Sequence, residues 1–125
     1  FVLRLVPGMR ADIIPLLAPH YRALVVESFG VGGLPGGEHG EMYARLQDWC
    51  TSGRLAVFTT QVPHEGCDLA VYEVGRSVKE LPGVLEAKDM TPEAVAVKLM
   101  WALGQTTDRA EAMRLFTTPV EWDIV

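Results

Sequence analysis

Residues 23–37 read ALVVESFGVGGLPGG, and this stretch constrains the fold more than any other. Ala23, Leu24, Val25 and Val26 are apolar at successive positions, which suits a strand buried on both faces, as in a parallel sheet covered by helices. Helices must then lie above and below it. The glycines at 30, 32, 33, 36 and 37 follow where such a strand delivers its carboxyl end. They permit positive φ and close backbone approach at the usual place for a ligand crevice in an open α/β sheet. Chemistry, if the chain has any, belongs at this glycine crest.

Size and composition set the bounds around that strand. A chain of 125 residues makes one domain, long enough to bury about two-thirds of the surface its unfolded form exposes. Apolar residues make up 49% and charged residues 22%, close to globular averages, so neither disorder nor a membrane class is indicated. A net charge of −5, with eleven Lys and Arg scattered singly along the sequence, argues against nucleic acid as the main partner. No apolar run reaches the roughly 18–20 residues of a membrane span. Cys50 falls in a helix-like segment and Cys67 in a loop, without CxxC spacing. Two free thiols are expected, with a single long-range bridge as the alternative. The chain opens Phe1-Val2-Leu3-Arg4-Leu5, without an initiator Met and already strand-like, so an excised domain is expected.

Taken in order, Val2–Val6 reads as a short strand stopped by Pro7-Gly8, and Arg10–Leu17 as a short helix that Asp12 caps or that begins earlier, and that Pro15 keeps short. The central strand is Ala23–Glu27. From Glu38, the residues Met42, Leu46, Trp49 and Cys50 share one face of a helix that Gly53 stops. Leu55–Thr59 is the next strand, Cys67–Val74 an extended arm or hairpin strand, and Gly83–Ala87 a fourth strand. Thr91-Pro92-Glu93 carries a capping hydroxyl, a proline at the first helical position and a first-turn acid. The helix it starts is apolar nearly all round, is expected to be largely buried, and ends at Gly104. Thr107–Phe116 is a last helix with Asp108 and Glu111 at capping-box spacing. Strands alternating with helices of this length require right-handed crossovers. The expected fold is a three-layer α/β sandwich, Rossmann-like or flavodoxin-like, with a roughly four-stranded parallel sheet between helices.

The residues alone contain no catalytic constellation. The loop Gly30-x-Gly32-x-x-Pro35 lacks the third glycine of a dinucleotide fingerprint, and no Lys-Ser/Thr pair follows it, so a tight strand-to-helix turn explains it better than a nucleotide site. His20, His39 and His64 are widely separated and read as solvated loop residues rather than metal ligands. Cys67 with His64 has the residue types of a nucleophile and base but no third group to orient them. Cys50 reads as core. Glu27, at the end of the central strand, either lines the crest or points to water.

Three segments carry a resemblance: ALVVESFGVGGLP, TTQVPHEG and, above all, AKDMTPEAVAVKLMWALG. Together, in this order and spacing, they resemble the C-terminal domain of the L-asparaginase family, nearest its bacterial cytoplasmic branch. The resemblance implies a parent enzyme that hydrolyses L-asparagine to L-aspartate and ammonia with a threonine nucleophile, without metal or cofactor. It places the catalytic threonines and an Asp–Lys pair in an N-terminal domain, whose motifs are not in this sequence. It also implies a cytoplasmic, homodimeric or dimer-of-dimers assembly in which this domain closes the neighbouring active site through the glycine loop.

The family's loop asparagine is matched here by Gly33, beside Gly32, and Gly33 offers no side chain. In the cytoplasmic branch a regulatory asparagine site is lined by positions matched here by Glu27, Thr60 and Val62, of which only Thr60 agrees. An Arg-to-Glu exchange at Glu27 turns a carboxylate clamp into repulsion, so that site is expected to be lost or altered. The resemblance thus implies a domain for substrate enclosure and subunit contacts, inactive alone. The alternatives are a free-standing α/β module that holds a small polar ligand and the related subunit of a tRNA-dependent amidotransferase.

Overall fold

The computed structural model describes residues 1–28, 33–36, 40–61, 68–69, 73–121 and 123. Four strands, β1 (Val2–Arg4), β2 (Ala23–Ser28), β3 (Leu55–Thr60) and β4 (Val84–Glu86), form one parallel sheet in the order β1-β2-β3-β4. Five helices complete the described elements: α1 (Ile13–Leu17), α2 (Glu41–Thr51), α3 (Glu73–Lys79), α4 (Pro92–Gln105) and α5 (Arg109–Thr117). A sheet whose order never reverses must carry all its right-handed crossovers on one face. Accordingly α1, α2 and α3 cover one side, and α4 and α5, which follow the last strand, cover the other.

The alternation along the two inner strands shows both layers. Leu24 and Val26 of β2 and Ala56 and Phe58 of β3 join Ile14, Leu17, Met42, Leu46, Trp49 and Val78 in one core. Ala23, Val25, Leu55 and Val57 point the other way, to Val95, Leu99, Ala102, Ala112 and Phe116. The continuous apolar run is therefore a strand with two buried faces. The three-layer sandwich expected from the sequence is the fold observed.

Local signals explain most boundaries. Thr91 is the N-cap of α4 and its hydroxyl accepts from the Ala94 amide at 3.2 Å, with Pro92 in the first turn. Asp108 caps α5 in the same way, accepting from the Glu111 amide at 3.0 Å. Asp12 does not cap α1; its carboxylate pairs with Arg10 at 2.8 Å.

Three expectations need correction. Within 67–74, read as an extended arm or hairpin strand, Glu73 and Val74 begin α3, because joining two parallel strands of one sheet takes a helical crossover. Helix α4 is not buried all round: Val97, Met100 and Trp101 lie 45–72% exposed, since only one stripe of any helix can face a sheet. It also continues through Gly104 to Gln105.

Lys98 lies on the inward side of α4 at 7% exposure. Its ammonium donates to the Thr118 carbonyl at 2.8 Å, pairs with Asp123 at 2.6 Å and sits 5.7 Å from the Phe116 ring centroid. A buried cation must be paired, and this one ties the segment after α5 to the body of the domain.

Cys50 is fully buried and unbridged, as the helical pattern implied. Burial pushes its thiol up to about 11, partly opposed by the charge of Arg109. Only about a thousandth of it is then ionised at pH 8, so Cys50 should resist iodoacetamide there until the domain is unfolded. Because the folded pKa lies above the ordinary one, this thiol also lowers stability as pH rises from about 9 toward about 11. Melting curves across that range should flatten on Cys50→Ala. Cys67 lies outside the described residues.

Candidate functional site at the glycine crest

The carboxyl ends of all four strands define the crest. Register places Arg4 of β1 beside Glu27 of β2, so their side chains emerge on the same face of the sheet. The Arg4 guanidinium reaches the Glu27 carboxylate at 3.7 Å, with the Glu27 side chain only 13% exposed. Glu27 therefore does not simply point to water. Its charge is compensated by an arginine whose relevance depends on strand register, which no sequence spacing shows.

Gln61, immediately after β3, holds the strand ends together. Its Nε2 donates to the Leu5 carbonyl at 2.6 Å and the Glu27 carbonyl at 2.8 Å. Ser28 Oγ donates to the Thr59 carbonyl at 2.9 Å. That hydroxyl is spent on the backbone, and no base reaches it among the described residues. At the end of β4, Glu86 accepts from the Leu69 amide at 3.2 Å and pairs with Lys79 at 3.4 Å. Among the described residues, the crest presents oriented carbonyls and paired charges.

Of the ligand-proximal positions singled out from the sequence, Glu27, Gly33 and Thr60 are described, and His20 lies exposed away from them. Thr60 closes β3 beside Ser28, and Gly33 forms an isolated bridge, half-buried. Gly32 and Val62 lie outside the described residues, as do His39, His64 and the glycines at 30 and 37. The glycine crest nevertheless reveals its construction at its edges. A side-chain carbon on Gly40 would lie 2.9 Å from the backbone of Gly36, whose own φ is +78°. Gly36 and Gly40 meet at a distance that excludes a Cβ on Gly40. The sequence displays the glycines but not the roles of Gln61 and Arg4; a polar residue directly after a buried strand is the available signal for Gln61.

Among the described residues, no group of three or more His, Cys, Asp or Glu is placed to hold a metal ion, and no helix is long and apolar enough to cross a membrane. Basic residues scattered singly in the sequence do converge in space: Arg22, Arg54 and Arg109 line one cleft at the amino ends of the strands, away from the crest.

Comparison with known proteins gives this geometry a context. An L-asparaginase of Thermococcus kodakarensis is 36% identical over 122 residues, covering 98% of this chain and 36% of that protein. A glutamyl-tRNA(Gln) amidotransferase subunit of Metallosphaera sedula is 37% identical over 119 residues, covering 94% of this chain and 26% of its own length. The solved structure of the thermostable T. kodakarensis L-asparaginase superposes with a TM-score of 0.88 at 35% identity, over 99% of this chain and 37% of that one. L-asparaginase I from Vibrio cholerae shares the fold, with a TM-score of 0.83 at 24% identity over 99% of this chain and 37% of its own. The chain thus spans about a third of the length of its asparaginase relative and about a quarter of the amidotransferase relative. Residues 1–116 match the glutaminase/asparaginase C-terminal domain, and with that match added to the shared fold, the chain belongs to this family.

Proposed function

We propose that this chain is the C-terminal domain of a cytoplasmic L-asparaginase, enclosing substrate and carrying subunit contacts while an N-terminal domain supplies the threonine chemistry without metal or cofactor. The carrying observation is the family match over residues 1–116, on a domain about a third as long as the asparaginase it resembles. The crest supports the same reading, because its described polar groups are engaged in holding strand ends and loop edges rather than poised around a nucleophile. Given asparagine, the chain alone should release no ammonium, and restoring the upstream domain should restore release. Turnover by the chain alone would overturn the proposal.

The crest positions Glu27, Gly32, Gly33, Thr60 and Val62 would face substrate or a regulatory asparagine in the homodimeric or tetrameric parent. Glu27 with its Arg4 partner offers a ligand carboxylate no free cation, so no second asparagine site is expected. Calorimetry on the parent enzyme should find catalytic-site binding only. A second site abolished by Thr60→Ala would refute this. The similarity to the M. sedula amidotransferase sustains a second reading, in which the parent releases ammonia for transfer to glutamyl-tRNA(Gln). Ammonia transfer to that tRNA in the presence of a partner protein, rather than free hydrolysis, would favour it.

A further inference from the structure

Arg22, Arg54 and Arg109 come from three separate parts of the sequence, yet all line one cleft of about 320 Å³ at the amino end of the sheet. Ser52, Gly53, His20 and Thr107 are among the other residues of its wall, which also has apolar members such as Leu55 and Leu103. In a chain of net charge −5, three guanidiniums with no carboxylate at ion-pair distance among the described residues call for an explanation. Asp108, next in sequence to Arg109, is engaged elsewhere, accepting from the Glu111 amide.

Part of the explanation is local. Arg22 donates to the Leu103 and Thr106 carbonyls, both at 3.0 Å, near the end of α4. Arg54 donates to the Ala18 carbonyl at 2.7 Å, just beyond α1, and to Ser52 Oγ at 2.7 Å. Arg109 donates to the Cys50 carbonyl at 2.7 Å, in the last turn of α2. Each thus satisfies carbonyls at a helix carboxyl end, where a cation is favoured. A helix end supplies only roughly half a unit of negative charge, however, so three such ends leave the cleft net positive. Each guanidinium also carries five N–H donors, more than these carbonyls use.

We infer that this cleft binds a small dianionic oxyanion of the phosphate or dicarboxylate class. Guanidinium forks pair with two oxygens of such a group at once, and the volume falls at the lower end of the usual range for small-ligand sites. An amino acid fits poorly, because its ammonium would lie among three cations. The ligand would bridge the end of α2, the end of α4 and the start of α5, coupling both helical layers across the sheet edge.

Titration calorimetry with inorganic phosphate at constant ionic strength tests the inference. Saturable one-to-one binding is expected with a Kd of about 1 mM or tighter. Arg22→Gln should weaken it about tenfold or more, because it removes one charged fork from an exposed position. Arg10→Gln, which alters a surface pair with Asp12, should leave binding unchanged. As a readout independent of substitution, amide resonances of Ser52, Gly53 and Thr107 should move on titration and saturate together. Succinate should compete with phosphate, and L-asparagine should not. Absence of saturable heat, an unchanged Kd in a folded Arg22→Gln variant, or resonance shifts confined to other surfaces would each overturn the site.

Discussion

Trp49→Ala should lower the stability of the domain by about 3–5 kcal/mol, the usual cost of deleting a large buried aromatic. Trp49 is 2% exposed on the inward face of α2, where it packs against β2 and β3 with Leu46 and Cys50. Its indole Nε1 donates to the Leu55 carbonyl at 2.8 Å, and the Arg54 guanidinium lies 5.3 Å from the ring centroid. Three effects therefore converge on one residue: apolar burial, a buried hydrogen bond and a cation over the ring face. Trp49→Phe separates them, because it keeps most of the ring volume while removing the donor. It should cost about 1–2 kcal/mol, the combined effect of an unmade buried bond and a small cavity. Denaturant midpoints followed by circular dichroism, at unchanged slope, give both numbers. If Trp49→Ala cost under about 1 kcal/mol, the ring would not be packed as described.

The elements with strong local chemistry are the legible ones. Thr91-Pro92-Glu93 and Asp108 with Glu111 mark helix starts in the sequence because a cap acts on an amide three residues away, and both caps form. The run Ala23–Val26 announces its two buried faces for the same reason: alternation on a strand is local. Segment 67–74 misleads because irregular alternation does not identify structure, whereas the demand for a helical crossover is set by the whole topology. The outer face of α4 misleads because apolar content does not say how many layers remain to cover it.

The crest is legible only in part. Glycine content marks it, but Arg4 meets Glu27 through a register that relates residues 23 positions apart in sequence. Arg22, Arg54 and Arg109 cannot be grouped at all without the fold. Each stands beside a strand or helix start, and only the sheet order brings those starts to one edge. Family resemblance carries the functional reading further than any spacing does, because the residues alone contain no catalytic constellation.

Gly83→Ala should destabilise the domain by about 3 kcal/mol, well beyond what a turn glycine ordinarily contributes. Gly83 enters β4 with φ +78°, and its carbonyl accepts from the Ala56 amide at 3.0 Å, so it sets where β4 meets β3. A Cβ there would lie 2.7 Å from the Arg54 carbonyl oxygen and 3.1 Å from Arg109 Nη1. Left-handed backbone alone costs a non-glycine residue roughly 1–2 kcal/mol, and forcing backbone apart in a packed region adds about 1–3 more. Gly53 provides the internal comparison: its φ is +96°, yet nothing lies within 4 Å of the position a Cβ would take. Gly53→Ala should therefore cost only the conformational part, about 1 kcal/mol. The difference between the two variants measures the close approach of the β4 entry to the Arg54 backbone. That approach also fixes the spacing of two cleft arginines, because Arg109 Nη1 lies 3.4 Å from the same Arg54 carbonyl. Phosphate affinity should accordingly fall in Gly83→Ala if that variant folds. Equal destabilisation by the two substitutions would mean that β4 can shift away from Arg54 at no cost, and the wall of the cleft would then be soft rather than built.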